Sequence, residues 1–381
     1  MTSPGSGPAL EASPLSGPLA DAPPGLAGIR SAARAVTDPA VWDFIEGGSG
    51  AETALAANRA ALDGVALLPR VLTGRTGADL SGRLLGTDAA MPVAVAPMAY
   101  QCLLHPEGER AVARAARAAG VPFVLSTLSS RPLEEVVATE ADVWFQLYWL
   151  RERSLTDGLV ARAEDSGCRA LMVTVDVPTM GRRWRDVRNG FSLPPHVRAA
   201  NLGPGLDDLA HRSTPGVSAV ADHTRSLFGV PTLRDLERLR RRSSLPLVVK
   251  GVLDARDARR VAECGADAVV VSNHGGRQFD GAPPSIAQLP LVSEAVAGLC
   301  AVLLDSGIRT GTDVLRALAL GASGVLVGRP VLWGLAAHGE KGVAEVLSVL
   351  RDELREGLLL TGCADLAAAA DLRVRRWAAD A

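Results

Sequence analysis

The sequence predicts a (β/α)8 barrel, and three observations predict it. From residue 92 the chain repeats one unit, a short apolar stretch followed by an amphipathic helical pattern, and it does so eight times. The stretches are continuous apolar runs rather than alternating ones, as parallel strands covered on both faces should be. Polar residues then arrive just where each run stops, which is how the site-bearing end of a barrel reads in sequence.

Taken in order, residues 1–27 are rich in Pro, Gly, Ser and Ala and are expected to form a disordered extension. They lack the basic and apolar regions of a signal peptide. Residues 28–381 are expected to form a single barrel domain. Residues 28–62 read as helical, with Asp38-Pro39 as a cap and first turn and Gly47-Gly48 as a stop. Trp42, Phe44 and Ile45 are expected to face the core. The strands are PVAVAP (92–97), PFVLST (122–127), WFQLYW (144–149), ALMVTVD (170–176), LPLVVK (245–250), AVVVS (268–272), AVLLD (301–305) and GVLVG (324–328). Between the fourth and fifth lies a long polar loop, about 177–231, read as a lid and carrying Arg182, Arg183, Arg185 and Arg188. GVAEVLSVLRDELREGLLL, beyond residue 338, reads as a closing helix.

Composition narrows the function. The 381 residues carry a net charge of −2 and no run of like charge, which argues against a nucleic-acid partner. The five cysteines show neither a CxxC nor metal-like spacing with histidine, so no metal is expected and a reducing cytoplasm is. No apolar run reaches about 18 residues, so no membrane span is expected. Of 40 basic residues only Lys250 and Lys341 are lysines. A lysine ending the apolar strand LPLVVK therefore reads as chosen for its compact point charge.

The strand ends supply Ala96-Pro97-Met98-Ala99, Ser126, Gln146 and Tyr148, Thr174 and Asp176, Lys250, Ser272 and His274, Asp305, and Gly328-Arg329. The stretch VVVSNHGGRQFD (269–280) is the densest: His274 can take a proton near neutral pH, and Arg277 can grip a carboxylate or phosphate with two parallel bonds. DSGIRTGTDV (305–314) and VGRP (327–330) place Gly307, Arg309, Gly328 and Arg329 beside helix N-termini, a phosphate-binding pattern. Ser126, Gln146, Thr174 and Lys250 offer donors and acceptors suited to a flat heterocycle, and a lysine there could stabilise charge on a reduced flavin, which makes FMN a candidate. Arg183 and Arg277 could clamp a 2-hydroxy acid's carboxylate, with His274 as base and Asp176 behind it. Tyr148 could bond the substrate or simply pack.

These residues lie in motifs that resemble the family of FMN-dependent 2-hydroxy acid oxidases and dehydrogenases: HPEGE (105–109), FQLY (145–148), TVD-P (174–178), GRR-RD-RNGF (181–191), VKGV (249–252), SNHGGRQ (272–278) and GRP (328–330). The resemblance runs from about residue 30 to 365. It implies a barrel holding FMN, His274 as the base held by Asp176, and Arg183, Arg277 and Tyr148 on the substrate. Ser126, Gln146, Thr174 and Lys250 would face the flavin; Asp305, Gly307, Arg309, Gly328 and Arg329 would hold its ribityl phosphate. Ala96, Pro97, Met98, Ala99 and Ser272 complete the strand-end set assigned to the cofactor.

Three positions depart from the family. Phe44 stands where many members have a second substrate tyrosine. Leu128 stands where glycolate oxidases have tryptophan, and Met180 where they have leucine. These changes enlarge and grease the pocket. DFIEGGSG-E (43–52), WFQLYWLR (144–151), MGRR-RD-RNGF (180–191) and GVSAVADHT (216–224) are similar to the members that oxidise 4-hydroxymandelate in antibiotic biosynthesis. The expected reaction is FMN-dependent oxidation of an aryl 2-hydroxy acid, (S)-4-hydroxymandelate or mandelate, to the 2-oxo acid, with O2 reduced to hydrogen peroxide. The alternatives are a dehydrogenase, an oxidase for another acid such as lactate, a flavin-dependent isomerase or phosphosugar barrel, and a non-catalytic barrel. Phe44 and Trp149 are candidates for stacking on the aryl ring or for plain packing. The resemblance also implies a homo-oligomer, with a tetramer as one form.

Overall fold

The computed structural model describes residues 25–376. Eight parallel strands close into a barrel: β1 Val93–Val95, β2 Phe123–Ser126, β3 Val143–Tyr148, β4 Ala170–Thr174, β5 Leu247–Val252, β6 Ala268–Val271, β7 Ala301–Leu304 and β8 Gly324–Val327. Each falls on an apolar run identified in the sequence.

The helices begin with three before the barrel: α1 Leu26–Val36, α2 Pro39–Glu46 and α3 Thr53–Asp63. Asp38 caps α2 by accepting from the amides of Ala40 (2.8 Å) and Val41 (3.2 Å). Gly47 ends it. The expected extension lies outside the described residues except at its end. There α1 begins two residues before residue 28, because Leu26 is buried in the core. After β1 come α4 Glu109–Ala119, α5 Leu133–Val137 and α6 Arg153–Asp165. The segment after β4 is more ordered than a loop. It forms α7 Trp184–Asn189, a 3-10 turn at Asp208–His211 and α8 Ala219–Leu227, and an antiparallel bridge between Leu150 and Phe228 ties it to the end of β3. Then follow α9 Leu233–Arg242, α10 Ala255–Glu263, α11 Ser285–Ala295, α12 Gly311–Ala319 and α13 Arg329–Leu360. The expected closing helix is the second half of α13, set off by a break at His338 and Gly339.

Two features carried no sequence signal. Val65–Leu67 pairs with Val374–Arg376 outside the barrel, and a hairpin, Gly82–Leu84 with Thr87–Ala89, plugs its N-terminal end. Three-residue strands are too short for periodicity to register.

The buried residues divide into two layers. The larger lies between the strands and the helices. The smaller fills the barrel and joins Leu84 and Ala89 of the hairpin to Ala94, Val124, Trp144, Met172, Val248, Val270, Leu303 and Leu326. Side chains alternate along a strand, so every second residue onward also points inward. That register leads from Val124 to Ser126, from Trp144 to Gln146 and Tyr148, from Met172 to Thr174, from Val248 to Lys250, from Val270 to Ser272, and from Leu303 to Asp305. The apolar fill gives way to polar groups within one step, at the C-terminal end of the barrel.

Candidate active site

A cavity opens at that end. Of the residues singled out in the sequence, Phe44, Ala96, Pro97, Met98, Ala99, Ser126, Leu128, Tyr148, Met180, Arg183, Lys250, His274, Arg277, Asp305, Gly307, Arg309, Gly328 and Arg329 line it. Gln146, Thr174, Asp176 and Ser272 stand directly behind this wall. Ser126 Oγ donates to Gln146 Oε1 (3.2 Å), and Gln146 Nε2 donates to Thr174 Oγ1 (3.0 Å). Lys250 Nζ donates to Ser272 Oγ at 3.0 Å and pairs with Asp305 Oδ2 at 3.0 Å. Burial opposes the lysine's charge, but Asp305 and Asp176 outweigh it and raise its pKa. Lys250 is therefore a fixed, buried point charge.

His274 is held in three ways. Its Nδ1 donates to Asp176 Oδ1 at 3.0 Å, which leaves Nε2 as the nitrogen free to take a proton. Its amide donates to Ser272 Oγ at 3.0 Å. Its φ of 58° lies in the left-handed region, a conformation that costs on the order of 1–3 kcal/mol for a non-glycine residue and collects at functional sites. Burial, with Lys250 and Arg183 nearby, pushes the imidazole pKa below its ordinary value against the pull of Asp176. Burial also works against the Asp176 charge, yet His274 and Lys250 prevail and keep that carboxyl low. The resting pair is thus a neutral imidazole backed by a carboxylate.

Gly251 makes this placement possible. Its φ is 107°, at an irregularity in β5, and a Cβ there would lie 2.5 Å from Asp176 Cγ.

Four arginines converge on the cavity. Arg277 Nη1 donates to the carbonyls of Phe44 (2.7 Å) and Gly47 (2.8 Å), and Arg329 to those of Ile45 (3.1 Å), Gly47 (3.0 Å) and Gly275 (3.1 Å). The orphan carbonyls at the end of α2 thus anchor both from behind. The Arg183 side chain makes no hydrogen bond among the described residues, and its buried Nε has no partner. Burial and the neighbouring Arg277 lower its pKa to about 9. Burial lowers Arg309 to about 10, and burial, with Arg277, Arg309 and Arg183 repelling it, sets Arg329 well below its ordinary value. Buried charges of one sign require anions. Two anionic groups, a phosphate and a carboxylate, satisfy this cluster, and the lysine and hydroxyls along the barrel mouth suit a flavin ring between them. FMN fits the residues present.

Some sequence readings need correction. The expected phosphate site drew on the N-terminus of α12, but three amides at or just before its start are already used. Asp313 accepts from Arg309 N and Thr310 N, and Glu353 accepts from Gly311 N. The amides of Gly307 and Ile308, which precede them, find no partner among the described residues. Trp149 packs behind the cavity, with Arg238 over its ring at 5.8 Å, because it follows the inward-facing Tyr148 by one residue and so turns outward. Phe44 does line the cavity and stacks on Phe191 (centroids 4.6 Å apart). Tyr148 both packs and faces the site. Its ring stacks on Phe228 at 4.3 Å, and burial pushes its hydroxyl up to about 12.

Sequence reasoning missed Tyr100, Val220, Thr224, Phe228 and Gln278, all on the cavity wall. Tyr100 had one available signal: the chain has only two tyrosines, and both line this cavity. Gln278 ties the β4 loop in place through the carbonyls of Asp176 and Thr179 (2.9 Å each).

The FMN-dependent dehydrogenase family model matches residues 33–376. A 4-hydroxymandelate oxidase from Amycolatopsis orientalis is 53% identical over 350 residues, covering 92% of this chain and 98% of that protein. An L-lactate oxidase from a Nostoc species is 47% identical, covering 85% of this chain and 90% of its own. A crystal structure of a mandelate oxidase with (S)-4-hydroxymandelic acid superposes with a TM-score of 0.90 at 53% identity, covering 92% of this chain and 99% of the other.

Proposed function

The chain belongs to the FMN-dependent dehydrogenase family, and we propose that within it the protein oxidises an aryl 2-hydroxy acid, (S)-4-hydroxymandelate or mandelate. FMN-dependent oxidation of a 2-hydroxy acid is the activity of the chain. The observation that carries the aryl reading is the mixed lining of the cavity. It holds Arg183 and Arg277, with unused N–H groups, together with an apolar set, Leu128, Met180, Val220 and Phe228. A small acid such as glycolate would leave that apolar wall facing water. An aryl group covers it, at roughly 25 cal/mol per Å² of apolar surface buried.

The residues divide the work. Arg183 and Arg277 hold the carboxylate, each charge-assisted bond contributing roughly 1.5–3 kcal/mol. Tyr148 O–H reaches the same end of the substrate. His274 Nε2 takes a proton, and Asp176 stabilises the imidazolium; such a base contributes about 10²–10⁴-fold. Bound FMN supplies the two-electron acceptor that O2 then restores. Ser126 and Lys250 would face the heterocycle, backed by Gln146, Thr174 and Ser272, with Ala96 to Ala99 beside it. Asp305, Gly307, Arg309, Gly328 and Arg329 would hold the ribityl phosphate end. The substrate loses two electrons and two protons to become the 2-oxo acid, and O2 gains them as hydrogen peroxide. We read the enzyme as a cytoplasmic homo-oligomer, which the five unpaired cysteines and the family support; sedimentation would test the assembly.

Anaerobic mixing with each enantiomer of 4-hydroxymandelate, mandelate, lactate and glycolate tests the substrate, read as loss of flavin colour. Fast bleaching by one mandelate enantiomer with colour returning in air is expected. Bleaching by lactate or glycolate alone would overturn the aryl reading, and bleaching without reoxidation would make the enzyme a dehydrogenase.

A further inference from the structure

Helix α8 crosses the cavity, and three of its neighbouring positions line it: Val220, Thr224 and Phe228. They stand four residues apart, so they share one face of the helix and its C-cap. The face is apolar except at its centre. Thr224 is 4% exposed, so its hydroxyl is largely out of water. That hydroxyl donates to the carbonyl of Ala221 at 3.0 Å, which commits its only proton. The other polarisable neighbour is Met180 Sδ at 3.5 Å, a thioether with no proton to give. Thr224 Oγ1 therefore offers lone pairs to the cavity and lacks a donor for them.

We propose that Thr224 reads the para substituent of the aryl acid by accepting a hydrogen bond from a phenolic O–H. The proposal rests on the aryl reading given above. Tyr100 is a second hydroxyl beside α8, and its bonding excludes it as the main reader. His223 Nε2 faces the carbonyl of Leu206 at 3.0 Å and so carries the imidazole proton. Nδ1 of the same ring is then an acceptor, and Tyr100 O–H fills it at 3.4 Å. Tyr100 is 1% exposed, and its hydroxyl is committed to His223 of α8. Thr224 is the group left facing inward, ringed by Met180, Val220 and Phe228. A phenol gains a partner there. An unsubstituted ring leaves the threonine unpaired.

The test uses the FMN-loaded full chain and compares (S)-4-hydroxymandelate with (S)-mandelate. Wild type is expected to prefer the hydroxylated acid. T224V keeps the shape and removes the acceptor, so kcat/KM for 4-hydroxymandelate should fall about tenfold more than for mandelate. T224S should keep the preference. Equal losses on both substrates, or a T224S that behaves as T224V, would overturn the proposal. A second measurement needs no variant: calorimetric binding of the unreactive 4-hydroxyphenylacetate, phenylacetate and 4-methoxyphenylacetate to wild type. The hydroxyl compound should bind about tenfold tighter than the other two, since neither can donate. A methoxy compound that binds as tightly as the phenol would overturn the proposal. If wild type is bleached by both mandelates with no preference, this inference fails and the aryl reading stands. Bleaching by neither removes both.

Discussion

At the scale of single residues, the site is a set of side chains held in states that water would not favour. His274 is kept neutral by burial and aimed by Asp176. His274→Ala should therefore retain FMN and lose flavin reduction by at least ~10²-fold in anaerobic stopped-flow measurements; reduction at the wild-type rate would remove His274 from the mechanism. The depressed imidazole pKa also sets a pH dependence. An unfolded chain binds this proton at about pH 6.5, while the folded chain binds it only at lower pH. The base thus stays competent below pH 6.5, and the acid limb of kcat/KM should lie under that value. Between the two values the unfolded state holds more protons, so stability should decline as pH falls from about 6.5 through the folded pKa. Burial depresses His223 in the same direction, so the two losses add. An acid limb above pH 7 would contradict the assignment. His274 and Arg277 were legible in the sequence because each is a chemically distinctive residue at a strand end. Thr224 was not, because a threonine in a long polar segment carries no signal until the helix bearing it is placed over a cavity.

At the scale of elements, the inward register of the strands explains why the strand ends were readable. Once a run is known to be a barrel strand, alternation fixes which residue beyond it points inward. Lys250, Ser272 and Asp305 follow two steps beyond Val248, Val270 and Leu303. The same rule turns Trp149 outward, where residue type alone had left stacking and plain packing both open. Gly251 belongs to this scale, since its left-handed backbone lets β5 pass Asp176. Gly251→Ala should leave circular dichroism near wild type and lower kcat on the order of 10²-fold, because a displacement of about 1 Å at a catalytic group costs that much. Full activity in this variant would show that Asp176 has room to move. Helix α2 is the element whose role was least visible. It reads as an ordinary amphipathic helix, yet its last carbonyls anchor Arg277 and Arg329 across more than 200 residues of sequence.

At the scale of the whole molecule, the folded chain gathers four arginines, Arg183 buried and Arg277, Arg309 and Arg329 half-buried, and is stabilised by whatever neutralises them. FMN should raise the melting temperature well above that of the stripped chain, since a ligand at 100 times its Kd contributes about 2.7 kcal/mol. Arg309 separates charge from packing. It bonds only the carbonyl of Ile308 with its side chain and lies over Trp333 at 5.0 Å. Arg309→Met should weaken FMN binding about tenfold or more while leaving the stripped chain at least as stable as wild type, because one repelling charge is gone. A variant that binds FMN as before would take Arg309 out of the phosphate site. Among the described residues no helix is long and apolar enough to cross a membrane.

The sequence by itself determined the barrel, its eight strands and, through its resemblance to the family, the flavin, and it singled out His274 as the proposed base and Arg183 and Arg277 as the proposed carboxylate clamp. Those depend on local apolar runs and on residue types whose chemistry is specific. Only the tertiary structure decided which groups stand at the wall and which behind it. It also decided that the segment after β4 folds into helices over the site, that Asp313 and Glu353 take up three amides at the start of α12, and that the end of α2 anchors two arginines. Each of these is a contact between segments distant in sequence. Such contacts follow from the closure of the barrel and leave no trace in local periodicity.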